Sequence, residues 1–165
     1  MEDVSKELKH GDVVIKGANA LGPDGIPAIL IGRQNPMTTA GTIGAFQMTA
    51  MARGVEVIVP VGLEKCIPVS VLIGPKEVSS DIVDFATGMP CGLIPMYGTV
   101  VTEVEALRHL ADVDTIPIAA GGIGGAEGSV TLLVKGSDLN VQKAIDVVKK
   151  IMGEPCTEEP LQTTR

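Results

Sequence analysis

The apolar runs of this chain are short, and nearly all of them end on glycine or proline. Val13–Ile15 runs into Lys16-Gly17, Ala28–Ile31 stops at Gly32, Val55–Val59 is broken by Pro60 and Gly62, and Val130–Val134 ends at Gly136. Such brief branched-aliphatic runs fit strands better than buried helices, and continuous ones suit a parallel sheet covered on both faces. With 20 Gly and 11 Pro in 165 residues, tight turns recur along the whole chain. That length makes one domain, or two small lobes that share a core.

Helical spacing appears between these runs. Val4 and Leu8 precede a stop at Gly11, and Thr42–Arg53 carries Ile43, Phe46 and Ala50 or Met51 at helical spacing before Gly54. Val69–Ile73 has the composition of a strand. Val78, Ile82, Phe85 and Ala86 mark a helix that stops at Gly88, and residues 88–98 read as a connector. After it, Thr99–Val101 is a strand, and Thr102 with Glu105 forms a capping box for a helix bearing Val104, Leu107 and Ala111. Strands over Thr115–Ala120 and Val130–Val134 precede a last helix, capped by Asp138 or Asn140 and stopped by Gly153. The fold class is therefore α/β: a layered, mainly parallel half over 11–87, then a ferredoxin-like β-α-β-β-α half over 98–153. Residues 154–165 read as a frayed tail.

Thirteen basic against twenty acidic residues give a net charge of −7, the wrong sign for a nucleic-acid partner. Aromatic residues make up 2%, so base-stacking surfaces are scarce. No run of about 18 apolar residues occurs, so a membrane partner is not expected. The first ten residues hold no apolar signal core. Cys66, Cys91 and Cys156 are odd in number and lack close spacing, which favours a reducing cytoplasm over a disulfide framework. No Cys/His cluster has metal-ligand spacing, and no cofactor motif is present.

Chemistry concentrates at three places. Gly121, Gly122, Gly124 and Gly125, with Glu127, lie in a run that exposes backbone N–H groups to an anion or closes a hairpin. A dinucleotide site would need a helix next, whereas Ser129–Val134 reads as a strand. Lys16, Gly17 and Asn19 leave one strand, while Gly41 and Thr42 start a helix whose amides favour negative charge. Glu64 and Lys65 follow another strand end, where α/β proteins bind ligands, with Cys66 beside them as a structural thiol.

Asp12–Leu21, Asp24-Gly25, Gly41-Thr42 and Ala52–Val59 resemble part of the isomerase and CoA-transferase superfamily. That group includes glucosamine-6-phosphate deaminase, ribose-5-phosphate isomerase, sugar-responsive repressor effector domains and ribose-1,5-bisphosphate isomerases. Asn19 stands where the last branch carries an acid. The chain as a whole resembles a prokaryotic family of unassigned function through Val59–Lys65, Val101–Glu103 and Ala119–Gly128. The resemblance and the residues together imply a small phosphorylated or carboxylated metabolite as partner. An isomerase- or transferase-type reaction would use Glu64, Lys65 and Glu127. The alternative is a non-catalytic ligand-sensing or oligomer-forming module whose glycine loops serve packing. In either case a homo-oligomer is expected.

Overall fold

A computed structural model describes residues 2–32, 41–74 and 76–152. Its elements, in chain order, are α1 (Glu2–Glu7), β1 (Val13–Ile15), β2 (Ala20–Leu21), β3 (Pro27–Gly32), α2 (Gly41–Arg53), β4 (Glu56–Pro60), a 3-10 turn (Leu63–Lys65), β5 (Cys91–Pro95), β6 (Thr99–Val101), α3 (Glu103–Ala111), β7 (Asp114–Ala120), β8 (Val130–Lys135) and α4 (Asp138–Ile151). The fold is mixed α/β. It has one three-stranded parallel sheet, one three-stranded antiparallel sheet and one antiparallel hairpin.

β4 is the middle of the parallel sheet. Val13, Val14 and Ile15 of β1 align with Glu56, Val57 and Ile58, and Thr99, Val100 and Val101 of β6 align with Ile58, Val59 and Pro60. Val59 is 0% exposed. It packs with Ala18, Leu21, Ile43, Ala50, Val55, Val57, Val61 and Met96 in the largest buried cluster. α2 supplies Ile43 and Ala50 to that cluster and ends at Gly54, whose φ of +67° suits a residue without Cβ. Arg53, in the last turn of α2, donates to the carbonyls of Ser5, Lys6 and Leu8, which lie at and just beyond the end of α1. Gly98 lets β6 lie against β4, because a Cβ there would strike the Val57 carbonyl.

The antiparallel sheet runs β2-β3-β5. β5 lies in the stretch expected to be a connector. Its two prolines gave that impression, but Pro90 precedes the strand and Pro95 ends an edge strand, where a missing N–H is tolerated. The register from Ala28↔Pro95 to Gly32↔Cys91 secures it. Val69–Ile73 forms no strand. Instead Val71, 0% exposed, plugs a small cluster with Ala20 and Ala28. The expected helix at 78–86 is also absent, and those residues form turns and bends. Phe85 is 82% exposed and Ile82 is exposed too, so half of the expected apolar face meets water. Ser79, Ser80, Asp81 and Asp84 give no helix propensity to compensate.

The later elements follow the expected β-α-β-β-α order, but the pairing differs from a single ferredoxin-like sheet. β6 bonds to β4, and β7 pairs with β8 alone. Parallel and antiparallel pairings are both present: within 11–87 the parallel β1–β4 pair stands beside the antiparallel β2–β3 pair. The hairpin has an irregularity between Pro117 and Ala119, where proline withholds its ladder donor. Leu107, Ala111, Val113 and Ala144 form its core with α3 and α4. Ser137, rather than Asp138 or Asn140, caps α4. The expected stop at Gly153 and the tail lie outside the described residues, as does the segment 33–40 expected to be a loop.

The capping box of α3 is present: the Thr102 hydroxyl accepts from Val104 N, and Thr102 N donates to Glu105 at 2.9 Å. Partial burial opposes the charge of Glu105, but the Thr102 hydroxyl and backbone donors outweigh it and hold its carboxyl below the ordinary value. A lowered folded-state pKa contributes stability that is complete above the ordinary glutamate pKa and is lost as pH falls through the lowered one. Glu105→Gln should therefore flatten the acid limb of a stability–pH curve measured by urea unfolding, with little change in its slope above pH ~6. Gly98→Ala should cost about 2 kcal/mol in the same assay, by the collision with Val57. Gly88→Ala, with no neighbour in reach, should stay within about 0.5 kcal/mol of the parent.

Candidate functional site

Because β1, β4 and β6 are parallel, the segments leaving their carboxyl ends share one edge of the sheet. Lys16 leaves β1, with its N–H bonded to Ile58 O. Val61 leaves β4 and donates to Val101 O, so the β4 and β6 exits are tied together. Gly62 then caps the 3-10 turn that carries Glu64 and Lys65. Gly17 is close enough to β4 that a Cβ on it would touch Pro60 O at 3.5 Å.

Side chains cross-link this edge. Lys65 Nζ donates to Ala18 O at 2.9 Å, and Lys16 Nζ donates to Gly17 O at 3.0 Å. Two ammonium groups thus meet two consecutive carbonyls, and neither has a carboxylate partner among the described residues. Glu103, in the first turn of α3, accepts from Leu63 N at 2.9 Å and pins the turn in place. The carboxylate of Glu64 lies over Gly62, occupying the space a Cβ would need there. Cys66 completes the group: partial burial, then the Glu103 and Glu64 carboxylates, push its thiol above the ordinary value. A thiol kept protonated is a poor nucleophile, which agrees with a structural role.

The other candidates are placed differently. Asn19 spends its side chain on the neighbouring sheet, with Oδ1 accepting from Leu30 N at 3.0 Å, while its own N–H bonds to Ala28 O. It extends the β2–β3 pairing. Asp24 accepts from Ser70 and from Ile26 N, as a turn residue does, and the Ser70 hydroxyl is the main cause of its lowered pKa. Gly41 and Thr42 open α2, and the Thr42 side chain lies outside the described residues.

Gly121, Gly122, Gly124 and Gly125 sit in the β7–β8 hairpin loop, whose bonds close on themselves. Gly121 N donates to Ser129 O, Ser129 N to Ala126 O, and Ser129 Oγ to Gly121 O. Glu127 accepts from Gly125 N at 3.3 Å, and backbone donors, its own first, hold its carboxyl below the ordinary value. That makes it a weaker base than a free glutamate. No hydrogen bond joins this loop to Lys16, Glu64 or Lys65 among the described residues.

The structure thus gathers Lys16, Gly17, Glu64 and Lys65, and builds Glu127 and its glycines into a separate hairpin. Sequence reading missed Glu103 as an anchor for the turn, although its place just after a strand end and an N-cap was a usable signal. Cavities of about 340, 280 and 300 Å³ lie elsewhere among the described residues, and the sequence-derived candidates line none of these. Among the described residues, no group of three or more His, Cys, Asp or Glu is arranged to hold a metal ion. No helix there is long and apolar enough to cross a membrane. No family model, curated protein or solved structure matches the chain.

The electrostatic account of Cys66 has a chemical readout. At pH 7.5, iodoacetamide should label Cys66 more slowly than a free model thiol, followed by peptide mass spectrometry. Glu64→Gln and Glu103→Gln should each speed labelling by removing a charge that opposes the thiolate.

Proposed function

We propose that the carboxyl edge of the parallel sheet binds a small phosphorylated or carboxylated metabolite. The observation that carries this reading is the convergence of Lys16 and Lys65 on the adjacent carbonyls Gly17 O and Ala18 O. Neutral carbonyls satisfy hydrogen bonds but leave the charges uncancelled. An anion reached by both ammonium groups gains charge-assisted bonds from each. In a chain of net charge −7, such a locus is where a small anion finds its best site.

Glu64 precedes Lys65 on the same 3-10 turn, with its carboxylate over Gly62, and is the general base of this reading. With Lys16 or Lys65 as electrostatic partner, the pair suits proton transfer of the isomerase or transferase type. Glu127 and the hairpin glycines have no part in this reading. The free thiols of Cys66 and Cys91 accord with a reducing cytoplasm.

A thermal-shift screen with inorganic phosphate, sugar phosphates and CoA esters tests the proposal. A binder at 100 times its dissociation constant stabilises by about 2.7 kcal/mol. The shift should vanish in Lys16→Met/Lys65→Met, each variant measured against its own unliganded midpoint. Silence across the panel, or an undiminished shift in the double variant, overturns the reading.

A further inference from the structure

The tip of the β7–β8 hairpin carries Ile123, 91% exposed between two pairs of glycines. No other large apolar side chain among the described residues is as exposed. The loop closes by bonds among Gly121, Gly125, Ala126, Glu127 and Ser129, so its shape does not depend on Ile123. An isoleucine held out in water on such a loop has no folding role, and contact with another surface is where its burial yields a gain.

A receiving surface exists on the same unit. Between β8, α3 and α4 lies a groove of about 340 Å³, lined by Leu107, Val130, Leu132, Ile145 and Val148 among others. Lys149 is its one charged lining residue. Val130 is the first residue of β8 after the loop, and Met152 follows the last turn of α4. Both line the groove, so it reaches the end of the unit that carries the loop. Glu127, four positions after Ile123, gives the loop the charge opposite to Lys149.

We infer that this end of the hairpin unit is a homodimer interface, in which Ile123 of each copy seats in the aliphatic groove of the other and Glu127 faces Lys149 of the partner subunit. Knob and groove sit at one end, so a single two-fold axis can satisfy both at once. The contact is then isologous and closes at two copies instead of growing into a fibre. The occupant is specified by shape and charge together: a branched aliphatic knob with a carboxylate beside it. The inference is independent of the anion site, and every variant below leaves Lys16, Glu64 and Lys65 untouched.

Sedimentation velocity on the full chain from about 1 to 200 μM tests it, since a small interface of this kind lies in the micromolar range. The parent should pass from one chain to two. Ile123→Asp should stay single throughout, with unchanged circular dichroism because the residue is exposed. Ile145→Glu, in the groove, should do the same. Glu127→Lys and Lys149→Glu should each weaken association about tenfold, and the two together should restore it. The inference is overturned by a parent that stays single across the range, by assembly beyond two copies, by an Ile123→Asp variant that dimerises normally, or by failure of the paired charge reversal to restore association.

Discussion

β4 holds hydrogen bonds to a parallel neighbour on each side and buries Val57 and Val59 between layers. Remove that strand and β1 and β6 have no common partner, while α2 loses the surface its Ile43 and Ala50 share. The same arrangement decides where chemistry can occur. Parallel neighbours release their carboxyl ends on one side, so residues far apart in the chain arrive together. Lys16, Glu64, Lys65 and Glu103 are neighbours for that reason.

That edge mixes charges in a definite pattern. The lysines share a pair of main-chain oxygens on the β1 side, and the two glutamates stand near the 3-10 turn and Cys66. Lysines without a carboxylate partner among the described residues, with Glu103 engaged by Leu63 N, form a polarised surface and not a neutral network. The hairpin unit is organised by a different force. Its core is aliphatic and its loop bonds are internal. It buries the Thr115 hydroxyl without a hydrogen-bond partner among the described residues and leaves Ile123 exposed at its tip.

Local patterns were legible in the sequence wherever the deciding interactions are themselves local. The capping box at Thr102 and Glu105 and the left-handed stop at Gly54 depend on near neighbours, and the structure has them. Pairing across long separations was not legible. Nothing near Thr99–Val101 says that it joins β4 and not β7, and Cys91–Pro95 becomes a strand because β3 offers it a complementary edge. The helix expected at 78–86 had the spacing, but its Ile82 and Phe85 meet water. Among the candidate residues, strand-end logic singled out Lys16, Glu64 and Lys65, which the parallel sheet brings to one edge. It could not foresee that Asn19 lends its amide to β3 or that the glycine run is bonded within its own hairpin.

Between Val71, which is fully enclosed, and β5, which is aligned residue by residue with β3, residues 76–90 form turns and bends and no helix or strand. These turns carry Ile82, Val83, Phe85 and Met89 on the outside. Both ends are thus anchored separately, while Ile82 and Phe85 between them stay open to water. A protease that cuts there would leave two pieces still clasped together, and a guest sequence inserted there would ride on an intact scaffold.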